Sequence, residues 1–327
     1  MNSVAGLSED RRRELFLATA ARKGTSPAVA EKDFWVCWVL LCLVTHPELA
    51  KKILFKGGTS LSKAFHVIER FSEDIDLVLD WRLLTDEDPN KERSKKQQNL
   101  FNETLRLKGR DYVQHTVMPW VEEAVGRICR VSLDEKDKRV IHIHYPGVFE
   151  DRYLRADIRL ELGPFSEWVP HGEYSITPYA AEEFPDLFSI LECRVMTIKA
   201  ERTFWEKTVI LHQESFRTDA QPVPLRYSRH YYDIAMMCRS KIKAEALGDL
   251  PLLEQVVKFN ERFFPRVWAH YELAKPGTMR LMPAAHLEKS LRADYSDMRN
   301  MVFGVYPEFD EILSIIKALQ DEINSLK

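Results

Sequence analysis

Residues 56–77 read KGGTSLSKAFHVIERFSEDIDL, and the reading of this stretch decides the fold. The short apolar run Ile53-Leu54-Phe55 before it predicts a strand ending in Lys56-Gly57-Gly58. Neither glycine carries a Cβ, so the backbone there can come close to a ligand. Thr59 or Ser60 then opens a helix expected to reach about Glu69. Leu61, Ala64, Phe65 and Ile68 recur at i, i+3, i+4 and i+7, which is one helical face. Free N–H groups and the dipole at such a helix start favour a phosphate. A tight strand–helix turn with an ordinary serine cap accounts for the same residues. The stretch from Asp74 to Asp80 predicts a second strand, with Ile75, Leu77 and Leu79 on one side and Asp74, Asp76 and Asp80 on the other.

Asp74 and Asp76 stand two apart on that strand, so their carboxylates project from the same face. Two like charges held so close are costly unless a cation lies between them. A hard divalent ion with oxygen ligands, above all Mg²⁺, suits that arrangement. A lone Asp-x-Asp is a weak signal. A diglycine turn, one helix and then Ser72-Glu73-Asp74-Ile75-Asp76 on the next strand is a strong one.

Around this core the chain reads as α+β. Residues 8–46 predict two helices separated at Thr25-Ser26-Pro27, the second of them strongly apolar from Phe34 to Val44. That apolar run covers 11 residues, whereas a bilayer takes about 20, so a buried helix is expected and no membrane partner. Residues 82–125 are polar and helix-favouring, with a basic stretch from Lys91 to Arg110 that reads as a solvated face or as an RNA-binding one. Further strands are expected at 139–145 and 156–162, and helices from about Thr197 onward. The expected layout is a core with a small mixed sheet over residues 1–196 and a helical C-terminal domain over 197–327.

The bulk properties exclude little else. A net charge of −3 gives no global positive field, so any polynucleotide would have to be held by local basic patches. The five cysteines are scattered, with no Cys-x-x-Cys pair, against both a disulfide framework and a structural zinc site. The first residues lack a signal-peptide pattern, which makes the cytoplasm the expected location.

Residues 56–77 resemble the opening motif of the polymerase-β-type nucleotidyltransferase fold, and within it the AbiEii/AbiGii toxin family of type IV toxin–antitoxin and phage-abortive-infection systems. Later segments are similar to the same family, in order: Leu160-Glu161-Leu162-Gly163 with Pro170, the helix Arg202 to Lys207 (RTFWEK), and Arg226 to Asp233 (RYSRHYYD). Pro276-Gly277-Thr278, Asp294-Tyr295 and Phe303-Gly304 continue the likeness, and Lys32-Asp33 shares a family feature that suggests no chemistry beyond a buried pair.

The resemblance implies transfer of a nucleoside monophosphate from an NTP to an RNA acceptor, the tRNA 3′ end being the candidate, with a cognate antitoxin as partner. Asp74, Asp76 and Glu161 would be the metal ligands, holding two Mg²⁺ ions. Gly57, Gly58, Ser60 and Ser72 would cradle phosphates. Lys207 and Arg229 would meet phosphate oxygens, and Asp233 would support Lys207. Several alternatives stay open on the residues themselves. Asp157, Arg159 and Glu161 share one strand face, so Asp157 is the reserve third carboxylate and an ion pair with Arg159 the ordinary reading. Arg226, Arg229 and Asp233 fall on one helical face, where a simple Arg229–Asp233 pair is the ordinary reading. His142 and His144 share a strand face without a third ligand at metal spacing. Transfer to a protein side chain, or a non-catalytic nucleotide-sensing module, are the rival functions.

Overall fold

A computed structural model describes residues 1–151, 154–163, 168–218, 221 and 223–326. Its helices and strands are α1 (Asn2–Ala5), α2 (Glu9–Lys23), α3 (Pro27–Thr45), β1 (Ile53–Lys56), α4 (Gly57–Lys63), β2 (Ile75–Leu79), α5 (Lys95–Tyr112), α6 (Met118–Val125), β3 (Arg130–Leu133), β4 (Val140–His144), β5 (Ile158–Gly163), β6 (His171–Ile176), α7 (Tyr179–Glu183), β7 (Cys193–Ile198), α8 (Ala200–Glu214), α9 (Arg229–Cys238), α10 (Ile242–Leu247), α11 (Leu250–Phe263), α12 (Ala285–Met298) and α13 (Phe309–Ser325). None of the described helices is long and apolar enough to cross a membrane.

The chain forms two compact units, one of residues 1–64 and 71–198, the other of residues 65–70 and 199–327. The first holds a mixed sheet in the order β3-β4-β5-β2-β1-β7-β6. At its centre β1 runs antiparallel to β2, and β2 runs parallel to β5. With seven strands the sheet is larger than expected, and β3 and β6 at its edges bury few residues. Arg130–Leu133 has no buried residue, and only Ile176 of β6 is buried, so neither contributes much to the core. They are specified by their antiparallel partners β4 and β7.

The expected helix from Ser60 to Glu69 is cut short. It ends at Lys63, and His66 takes a positive φ of 53°. Residues 65–70 join the second unit, where Arg70 bridges Val302 and Glu69 accepts a hydrogen bond from the Phe303 amide at 2.8 Å. The amphipathic pattern there is genuine, but hydrogen bonds to distant chain override it.

The two helices expected over residues 8–46 are present, with Ser26 capping α3 through the Val29 amide at 3.2 Å. Helix α3 is almost wholly buried, yet it carries Glu31-Lys32-Asp33, each about 1% exposed or less. Successive helical residues point about 100° apart, and these three take three separate partners. Glu31 accepts from the Val148 and Phe149 amides. Lys32 pairs with Glu73 at 2.7 Å and donates to the Arg155 carbonyl. Asp33 pairs with Lys63 at 2.8 Å and accepts from the Tyr179 amide at 2.6 Å. Lys32 and Asp33 therefore do not pair with each other.

Dehydrating two ions costs several kcal/mol, so such pairs contribute little net stability, but breaking one leaves a bare buried charge. Replacing Lys63 by Met is expected to lower unfolding free energy by about 3–5 kcal/mol. Replacing Lys52, whose partner Glu48 is half exposed, should cost less than about 1 kcal/mol. Urea unfolding of the two variants checks the contrast.

Candidate active site

In the first unit, β1 delivers Lys56 into the turn and α4 begins at once with Gly57. Gly57 has a φ of 83°, and a Cβ there would lie 2.0 Å from Asp76 Oδ2. Glycine is thus required because the Asp76 carboxylate lies against the backbone at this point, a closer reason than ligand approach. Gly58 and Ser60 are buried in α4, and the Ser60 hydroxyl donates to the Gly57 carbonyl at 2.8 Å. Buried Thr59 donates to the carbonyls of Asp74 at 2.5 Å and Ser72 at 3.3 Å. It fixes the loop that carries Ser72 and both aspartates, a role its sequence position did not disclose.

Asp74 Oδ1 is shielded from solvent and has no hydrogen-bond partner. Burial, then the charges of Glu73 and Asp76, hold the Asp74 carboxyl above its usual range, against the pull of Arg159 and Arg155. A buried acceptor without a donor costs about 1–3 kcal/mol. A divalent cation with oxygen ligands would remove both penalties, and the paired aspartates fit one.

The third carboxylate is not brought in. Glu161 is in register with Asp76 on the neighbouring strand, but its Oε1 pairs with Arg159 Nη1 at 3.0 Å. Among the described residues, no three His, Cys, Asp or Glu side chains converge as a metal site. The reserve candidate Asp157 is turned to His142, whose second ring nitrogen faces Asp134 at 3.1 Å. Burial disfavours a charge on His142, but the two carboxylates outweigh it and raise its pKa. His142 is taken as a bridge between carboxylates, and His144 meets the Ser132 hydroxyl at 3.0 Å.

The second unit gathers Lys207 of α8 and Asp233 of α9, together with Arg70. Asp233 is fully buried; Arg70 reaches it through Nε at 2.7 Å and Nη2 at 2.8 Å, and Lys207 Nζ at 2.9 Å. Asp233 thus pairs with Lys207 and Arg70 rather than with Arg229. Burial alone would raise the Asp233 pKa; the Arg70 and Lys207 charges reverse this and hold it well below the usual range. Lys207 is lowered, by burial first and then by the nearby Arg70 and Arg229 against the pull of Asp233.

Arg226 lies outside α9 with a φ of 61°, so it does not share the helical face expected for it. Its amide and that of Ser228 donate to Asp294 of α12 at 2.5 and 2.8 Å. Arg70 was missed because it sits on the polar side of an amphipathic pattern, where a solvated residue is the default.

A family model described as "Nucleotidyl transferase AbiEii toxin, Type IV TA system" matches residues 38–315. The chain belongs to the AbiEii nucleotidyltransferase toxin family. Among solved structures, it is similar to MenT4, a nucleotidyltransferase toxin from Mycobacterium tuberculosis H37Rv, with a TM-score of 0.53 and 15% identity over 98% of this chain and 91% of that one. At that identity the likeness speaks for the fold alone. No curated protein matches. As an AbiEii member the chain is a nucleotidyltransferase, and the α+β class expected from its sequence holds.

Two outcomes are expected. Gly57→Ala should displace the Asp76 carboxylate and lower nucleotide transfer on the order of 10²-fold, with a much smaller change in Tm. Asp233 has a depressed folded pKa, so its stabilisation is present above the unfolded value of 3.8 and is lost as pH falls toward the folded one. Asp233→Asn should cost about 3–5 kcal/mol at neutral pH and give a shallower loss of stability between pH 4 and 2 than the parent, measured by denaturant unfolding across that range.

Proposed function

We propose that this AbiEii family member transfers a nucleoside monophosphate from an NTP to an RNA acceptor, with the tRNA 3′ end as the target, and that a cognate antitoxin restrains it in the cytoplasm. The observation that carries the reading is the Asp74 oxygen, buried without a partner beside a second carboxylate, in a nucleotidyltransferase family member. Asp74 and Asp76 would hold Mg²⁺, two ions in all with Glu161 as the further ligand, and the metal would supply positive charge to the triphosphate and to departing pyrophosphate.

The remaining work falls to side chains. The acceptor hydroxyl attacks the α-phosphorus, its proton passes to Glu161, and the bond from that phosphorus to the β-phosphate bridging oxygen breaks. Glu161 has to give up its Arg159 pair for this, and its register beside Asp76 keeps the required movement local. Gly57, Gly58, Ser60 and Ser72 are assigned to the phosphates. Lys207 and Arg229 are assigned as phosphate contacts, with Asp233 setting the position of Lys207. Arg70, Lys207 and nearby Arg229 against the single carboxylate of Asp233 leave an excess of positive charge suited to an anion. We assign catalysis to the 1–196 domain and treat 197–327 as the helical domain that carries these cations.

The test incubates the purified chain with each labelled NTP, Mg²⁺ and tRNA, other RNA or lysate protein. Label on tRNA is expected, with a loss of about 10²-fold or more for Asp76→Asn. Label on protein alone would move the acceptor to a side chain. No label on either, with cell toxicity unaffected by Asp76→Asn, would leave a nucleotide-sensing module as the better account.

A further inference from the structure

Residues 91–110, KERSKKQQNLFNETLRLKGR, hold seven basic side chains against two acidic ones, in a chain whose overall charge is −3. From Lys95 the structure forms a single helix, α5, that runs to Tyr112 and is closed at its start by a Ser94–Gln97 capping box. No acidic residue stands in its first turn; Lys95 and Lys96 do. Cations there oppose the positive end of the helix dipole and cost rather than gain stability.

Local pairing absorbs only part of this charge. Arg93 is spent within the fold, its guanidinium 3.8 Å from the Phe101 ring centre and bonded to the Asp88 and Lys91 carbonyls. Arg106 pairs with Glu103. Among the described residues, Lys91, Lys95, Lys96 and Lys108 have no ion-pair partner, whereas the charge of Arg110 acts on Asp137. Lys91 and Lys108 also line a cavity of about 390 Å³ between the 85–93 segment and α5, with Thr85, Gln97 and Thr104 as polar neighbours and Glu87 and Glu92 as its acidic members. Glu87 is already engaged by Arg93 at 3.2 Å.

We propose that the cavity between the 85–93 segment and α5 binds the sugar–phosphate backbone of the RNA acceptor, with Lys91 and Lys108 at the cavity and Lys96 at the start of the helix beside it. This rests on the acceptor reading above and deepens it by naming where RNA is held. The cavity offers cations and hydrogen-bonding side chains beside Leu100 and Leu105, but no open aromatic platform, because Arg93 covers Phe101. It therefore recognises backbone charge and not base identity. Binding through it is sequence-independent and falls steeply with salt.

The test uses the full chain carrying Lys91→Gln, Lys96→Gln and Lys108→Gln together, all exposed positions, beside a control with Lys241, Lys258 and Lys317 changed to Gln. RNA affinity is measured by filter binding without NTP, across salt, with a structured hairpin and a scrambled hairpin of equal length. The expected result is equal affinity for the two hairpins. The α5 variant should show a log K against log salt slope smaller by about two, about tenfold or more weaker binding, and a higher KM for RNA at unchanged kcat. Unchanged slope and KM in the α5 variant, or an equal loss in the control, would overturn the assignment. Label transferred to RNA by a variant with an intact slope would remove only this surface. A parent chain that neither binds nor labels RNA would remove the acceptor reading with it.

Discussion

Three consecutive charged residues inside a buried helix hold the nucleotidyltransferase motif in place. Glu31, Lys32 and Asp33 radiate from α3 to the 148–149 backbone, to Glu73 and to Lys63. The last two bracket the motif, since Lys63 closes α4 and Glu73 immediately precedes Asp74. Hydrophobic packing could hold these segments close, but it is non-directional. Charge pairs in a dry interior tolerate far less displacement, because a misplaced partner leaves an ion bare. Position, more than net stability, is what they provide.

Against that rigid frame the aspartates are left short of partners. Asp74 has a shielded oxygen with no donor, and Asp76 lies against a glycine that no other residue could replace without strain. Around them the other groups are satisfied: Thr59 donates to the Asp74 carbonyl, and Glu73 accepts from the Arg155 amide. Local satisfaction around an unsatisfied centre is what a ligand site requires, since a fully paired carboxylate would have nothing left to offer. The second unit shows the reverse balance, with Asp233 outnumbered by cations.

The legibility of all this in sequence was uneven for identifiable reasons. Strand β2, helix α3 and the diglycine turn could be read because period and punctuation act within a few residues. Arg70 could not be read, since its partner Asp233 lies 163 residues away. The end of α4 was misplaced because Phe65–Arg70 carry a sound helical pattern and are claimed instead by Val302 and Phe303. Asp157 and Glu161 share a strand face, and their partners His142 and Arg159 come from side chains whose reach a strand pattern does not disclose. Lys32-Asp33 looked like a self-contained pair, and only the fold could show that each reaches elsewhere.

The excursion of residues 65–70 into the second unit constrains how this gene product can be divided. A cut after Ile198 does not release two complete modules, because the hexapeptide goes with the wrong fragment. The C-terminal piece then keeps Asp233 buried beside Lys207 but forfeits the Arg70 fork. To restore that fork, a C-terminal piece would have to carry residues 65–70 as well.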